Sequence, residues 1–140
     1  MLTSSLIHPQ IAGALAACGH GDKVLIADGN YPLGTAVNPN AERVYLALRA
    51  GQPTVTDVLE TLLGEINVER AAVMTPGDSE PEPPIFDEFR SLLGFEELDE
   101  VDRFSFYEEA KGSPNLVLAI NTGETRTFAN VLLTVGVRDR

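Results

Sequence analysis

Short apolar runs separated by stretches of helical periodicity constrain the fold of this sequence more than any other feature. Val24-Leu25-Ile26-Ala27, Ala71-Ala72-Val73-Met74, Leu116 to Ile120 and Val131 to Val135 are apolar at almost every position and only a few residues long. Such runs suit strands buried on both faces, and Arg43 to Leu48 adds a further strand candidate. Between them lie helical signals. Pro9 fits a first helical turn, Ile11, Ala14, Leu15 and Cys18 recur at helical spacing, and Gly19 is a natural stop. Thr54 followed by Asp57 resembles an acidic capping box opening a helix through about Leu63. Ile85, Phe86, Phe89, Leu92 and Leu93 make one apolar helical face that ends at Gly94, and Phe104 to Ala110 form another short helix.

Strands alternating with helices predict an α/β sandwich built on a central sheet. The two closing strands are joined by a short connection containing the predicted turn Thr122-Gly123-Glu124-Thr125. A parallel pair needs a longer crossover, so the sheet is predicted to be mixed. The 140 residues fit a single domain, 1–140. Pro76 to Pro84, rich in proline and acids, reads as a solvated loop, with a lid over a site as the alternative.

Charge and composition exclude several classes of partner. A net charge of −11 repels phosphate backbones and anionic membranes, so nucleic acid is not an expected partner. No apolar run approaches the ~20 residues of a membrane helix. Met1 to Ser5 lack the pattern of a secretion signal, which makes the cytoplasm the default location. The single cysteine, Cys18, sits in an apolar stretch and is expected in the core.

Two histidines are available for chemistry. His8 precedes Pro9 and reads as an exposed helix entrance. His20 lies between Gly19 and Gly21 before a buried strand, and Asp28 follows at that strand's carboxyl end, where ligands of open α/β sheets gather. A carboxylate near the imidazole would orient it, and proximity of His20 to Asp28 is possible but not implied by spacing. The plain alternative is a His20 that caps a helix and an Asp28 that closes a turn. Gly19-His20-Gly21 is neither a Walker loop nor a dinucleotide fingerprint. The sequence has no His-x-x-x-His or Cys-x-x-Cys metal spacing and no Gly-x-Ser-x-Gly elbow. An activity consistent with these residues needs one or two proton-transfer groups and polar contacts.

Further along, Arg103-Phe104-Ser105-Phe106-Tyr107 joins a cation to an aromatic cluster. The aromatics suit core or interface positions, and Arg103 either pairs with Asp99 or Asp102 or faces a ligand. Asn130, after Phe128-Ala129, either recognises a hydroxyl or stabilises a buried turn.

Together, Gly19-His20-Gly21-Asp22, Asp28, Arg103-Phe104-Ser105-Phe106-Tyr107, Thr122-Gly123-Glu124 and Asn130-Val131-Leu132-Leu133 resemble the RbsD/FucU family. The resemblance spans nearly the whole chain and lies nearer the fucose mutarotase branch than the ribose pyranase branch. It implies an RbsD-like three-layer α/β/α fold, ring-like homo-oligomers that are commonly decamers, and a monosaccharide ligand. It implies His20 as the catalytic proton donor, with Asp28, Arg103 and the segment Phe128-Ala129-Asn130 binding sugar. Phe128 stands where the family usually has tyrosine, and Asn30-Tyr31 replaces the His-Phe pair expected of a fucose mutarotase. The implied activity is anomer exchange of L-fucose or a related sugar, with no cofactor or metal required. Pyranose–furanose exchange of ribose, sugar binding without catalysis, and a purely structural oligomer are the competing readings.

Overall fold

A computed structural model describes residues 1–139. The elements follow in the order α1 (Pro9–Ala17), β1 (Lys23–Ala27), β2 (Glu42–Tyr45), α2 (Val55–Leu63), β3 (Val68–Thr75), α3 (Ile85–Leu93), β4 (Asp99–Asp102), α4 (Arg103–Gly112), β5 (Leu116–Asn121) and β6 (Val131–Val135). The strands form one mixed sheet in the order β2-β5-β1-β6-β3-β4.

Alternation along the strands explains the three layers. Val24 and Ile26 of β1, Ala71 and Val73 of β3, and Val131 and Leu133 of β6 face one core with α1, α2 and α3. Leu25, Ala27, Ala72, Met74 and Leu132 face a second core, closed by Phe106 and Ala110 of α4 and by Tyr31, Leu33, Ala36, Val37 and Ala41. Both faces are covered, which is why the strands read as continuous apolar runs. Phe86, Phe89 and Phe106 are fully buried, and each contributes about 1.5–3 kcal/mol from burial alone.

The expected mixed sheet is present, but its antiparallel member takes an unexpected place. β6 does not pair with β5. It lies antiparallel between β1 and β3, whereas β5 pairs in parallel with β1 and β2. The connection after β5 therefore crosses over the end of β1, which brings its residues against Asp28.

Other local expectations hold with shifts. The Thr54–Asp57 capping box forms in full, and Gly94 takes the left-handed conformation after α3 with φ 71°. His8 caps α1, its Nδ1 accepting from the Ile11 N–H at 3.3 Å. β2 ends at Tyr45 because Leu48 N–H turns back to donate to Gln52 O. The predicted turn at Thr122–Thr125 has no regular structure, and the bend falls at 126–128 instead. Cys18 is the C-cap of α1 and only partly buried, because the helix ends before the core closes over it. Phe104 is 73% exposed, whereas Phe106, two positions on, is in the core. β4, with the sequence Asp-Glu-Val-Asp, pairs in parallel with β3 at the sheet edge and was not expected.

Candidate active site

Strands β1, β2, β3, β4 and β5 all point the same way, so their carboxyl ends share one edge of the sheet with the start of β6. That edge holds a cleft of about 310 Å³ lined by residues including Asp28, Met74, Arg103, Tyr107, Phe128 and Asn130. All but Tyr107, which lies within α4, come from an element end: Asp28 follows β1, Met74 is the last residue but one of β3, Arg103 opens α4, and Phe128 and Asn130 precede β6. Ligands of open α/β sheets bind outside such strand ends, and the volume suits a small ligand.

Asp28 is the most heavily supported group in the cleft. Its Oδ1 accepts from the N–H groups of Asn30 at 2.9 Å and Tyr31 at 3.0 Å, and its Oδ2 accepts from Ala129 N–H at 3.3 Å. Its own N–H donates to Asn130 Oδ1 at 2.8 Å. Burial pushes the Asp28 carboxyl above its ordinary value, and hydrogen bonds from Asn30, Ala129, Tyr31 and Asn130 only partly oppose that. Asn130 thus stabilises the buried turn through its side-chain oxygen, and the residue also lines the cleft. Ala129 is fully buried and acts through its backbone N–H.

Arg103 does not pair with Asp99 or Asp102. Asp99 meets Arg70, and Asp102 caps α4 by accepting from Ser105 N–H at 2.9 Å. The Arg103 guanidinium lies 5.9 Å from the centroid of Phe104 and 5.8 Å from that of Tyr107, a cation–π arrangement that leaves N–H groups for a ligand. Tyr107 in turn packs edge-on against Tyr31, whose hydroxyl donates to Ala36 O at 2.7 Å. Burial raises the Tyr31 phenol's pKa, which keeps that donor protonated.

Phe128 closes the cleft from a strained backbone. Its φ of 56° lies in the left-handed region, which costs a bulky residue of order 1–3 kcal/mol and persists only where neighbours enforce it.

His20 stands elsewhere. The five residues of β1, each rising about 3.3 Å, separate it from Asp28, so the two lie at opposite ends of the strand within one chain. The turn that carries it is tightly made. Gly19 N–H donates to Asp22 Oδ2 at 2.8 Å, Gly21 has φ 90°, and Gly21 N–H donates to Val135 O at 2.9 Å. This accounts for the Gly-His-Gly-Asp spacing: the turn holds the backbone still and leaves the imidazole outside. The side chain is 57% exposed, and its Nε2 lies 2.9 Å from Glu69 Oε2. The carboxylate beside the ring is therefore Glu69 of β3, not Asp28.

The structure thus brings together Asp28, Arg103, Phe128 and Asn130 and leaves His20 apart. Reading the sequence missed Met74, Asn30, Tyr31, Tyr107 and Thr127 as cleft residues. Met74 carried a usable signal, since the strand-end rule that singled out Asp28 applies equally to the last residues of β3.

Known proteins give this geometry a context. The model of the RbsD / FucU transport protein family matches residues 1–138. The D-ribose pyranase of Symbiobacterium thermophilum is 36% identical over 138 residues, covering 98% of each chain. The fucose mutarotase of Homo sapiens is 31% identical over 146 residues, covering 95% of this chain and 90% of that protein. The crystal structure of the fucose mutarotase from Streptococcus pneumoniae in complex with L-fucose superposes with a TM-score of 0.77 at 25% identity, covering 94% of each chain. Matched along its length to these proteins and sharing their mixed α/β fold, the chain belongs to the RbsD/FucU family of sugar pyranases and mutarotases.

Proposed function

We propose that the protein is an isomerase of free monosaccharides that opens and recloses the ring of a reducing sugar in the cytoplasm. The observation that carries this reading is the cleft at the sheet edge, where Asp28, Arg103 and Asn130 converge beside the apolar surfaces of Met74 and Phe128. A sugar has matching parts: hydroxyls for the polar groups and a C–H face for the apolar ones. D-ribose and L-fucose are the two candidate sugars. The 36% identity to a D-ribose pyranase gives ribose at least equal standing with the fucose expected from the motifs.

Ring opening needs a proton delivered to the ring oxygen and one removed from the anomeric hydroxyl. The bond from the anomeric carbon to the ring oxygen breaks, the new carbonyl turns, and reclosure reverses both transfers. An imidazole is suited to such transfers, which typically contribute ~10²–10⁴-fold to rate. Asp28 and Asn130 hold hydroxyls, Arg103 donates to sugar oxygens, and Phe128 covers the apolar face.

His20 completes the site from a second copy of the chain. Its exposed position on a rigid turn, far from the cleft of its own chain, supports a homo-oligomer in which one copy's turn meets another copy's cleft. A closed ring satisfies that head-to-tail contact, in keeping with the ring-like decamers implied by the family resemblance.

Magnetisation-exchange NMR on D-ribose and L-fucose tests the reading. Faster pyranose–furanose exchange of ribose marks a pyranase, and faster anomer exchange of fucose marks a mutarotase. Binding without faster exchange of either sugar would reduce the protein to a sugar-binding one and remove the catalytic claim.

A further inference from the structure

The segment between β5 and β6 carries Phe128 and Asn130 into the cleft but has no regular secondary structure through most of its length. Its position is set by side chains. Upstream, Thr122 Oγ1 donates to Ala27 O at 2.7 Å, and Glu124 is only 4% exposed. Glu124 Oε1 accepts from Val55 N–H at 3.3 Å, which ties the segment to the start of α2. Downstream, Ala129 and Asn130 are tied to Asp28. Phe128 sits between these anchors, and among the described residues it is the one non-glycine position with positive φ.

Arg126 reinforces the upstream anchor. Its Nε donates to Glu124 Oε2 at 3.2 Å and its Nη2 to Glu124 Oε1 at 3.1 Å, a two-pronged grip on a buried carboxylate. Its backbone N–H also donates to Glu124 Oε2 at 3.3 Å, so the chain is drawn tight over the carboxyl group. Its Nη1 reaches Glu88 of α3, which ties the segment to the neighbouring helix. Arg126 itself does not line the cleft.

We propose that Arg126 is a positioning residue: by clasping Glu124 within the segment and Glu88 on α3, it holds Phe128 in its left-handed conformation and so shapes the sugar cleft. The clasp acts two residues before Phe128, and the Ala129–Asp28 bond acts one residue after it. A strained residue needs such restraint on both sides. Arginine is suited to the role because its planar fork meets both oxygens of Glu124 and still reaches Glu88, which a lysine ammonium cannot do. The effect on sugar recognition rests on the function proposed above; the effect on the segment does not.

The test uses the full-length protein and three variants, Arg126→Ala, Arg126→Lys and Glu88→Ala. The first readout needs no sugar: amide hydrogen exchange of Ala129, compared with Leu132 and Leu133 in β6. In Arg126→Ala, Ala129 exchange is expected to quicken roughly tenfold while the β6 amides stay as in wild type, the size set by release of the strained conformation. The second readout is kinetic. KM for the accepted sugar is expected to rise roughly tenfold with kcat within about twofold, the mark of lost binding rather than lost chemistry. Arg126→Lys should fall between Arg126→Ala and wild type. Glu88→Ala keeps the Glu124 grip intact and should shift both readouts the same way by less, so it decides the matter if Arg126→Ala does not fold. Wild-type Ala129 exchange in these variants, or an exchange increase shared equally by β6, overturns the proposal. Should wild-type protein neither bind nor turn over ribose or fucose, the functional reading fails and the Ala129 measurement alone still decides whether the clasp exists.

Discussion

The N–H of Asp28 donates to Asn130 Oδ1 at 2.8 Å, joining the end of β1 to the start of β6 between two residues that line the cleft. Both residues are nearly fully buried. Asn130→Ala leaves that N–H without a partner, which costs about 1–3 kcal/mol. Urea denaturation should report this loss, with sugar affinity falling as well. A variant as stable as wild type would mean that the bond does not hold the strand ends together.

Asp28 predicts a pH dependence with a definite sign. Burial holds its carboxyl above the ordinary value of 3.8, so it takes up a proton while an exposed aspartate is still ionised. Sugar affinity measured by calorimetry should therefore weaken on acidification at a pH above 3.8, and Asp28→Asn should lack that transition. For folding the sign is opposite. The raised value favours the protonated form, so this contribution to stability is present below 3.8 and lost as pH rises through the folded value.

Glu124 behaves in the reverse way. Burial pushes its carboxyl up, but hydrogen bonds and charge from Arg126, with the Val55 N–H, outweigh that and hold it below the ordinary 4.5. Its contribution to stability is present above 4.5 and lost as pH falls through the lowered folded value. Thermal unfolding across this range should show a steeper acid loss in wild type than in Glu124→Gln, which should also be less stable at neutral pH. Equal slopes would contradict the role assigned to the Arg126 contact.

Phe128→Tyr supplies the phenol that the family resemblance implies at this position. The ring already lines the cleft, and tyrosine accepts the same backbone, so the fold should be retained and turnover should rise. Unchanged turnover with native stability would mean that the site works without that hydroxyl.

Much of the fold was legible because the strands bury both faces and so appear as apolar runs, and because α2 and α3 carry their own caps. β4 was not legible, since Asp99, Glu100 and Asp102 give an edge strand no apolar pattern. Nor was the insertion of β6 between β1 and β3, which depends on pairing between residues far apart in the chain. Gly123 carries a hidden constraint of the same kind: a Cβ there would overlap the backbone of Arg49 and Gln52, so the turn-like Thr-Gly-Glu is a close crossing of two chain segments. The strand-end rule pointed to Asp28, and residue chemistry with the family pattern pointed to Arg103 and Asn130; all three line the one cleft. What spacing could not give was the separation of His20 from all of them, because a histidine before a strand and an aspartate after it are near in sequence yet lie at opposite ends of that strand.

That separation allows a direct test of the claim that one copy's His20 serves another copy's cleft. His20→Ala and Asp28→Ala chains, each inactive alone, are unfolded together and refolded as a mixture, and sugar exchange is measured by NMR. In a random one-to-one mixture, about a quarter of the sites combine an intact turn with an intact cleft, and activity should recover to about that fraction of wild type. A mixture no more active than its separate parents would contradict the shared site.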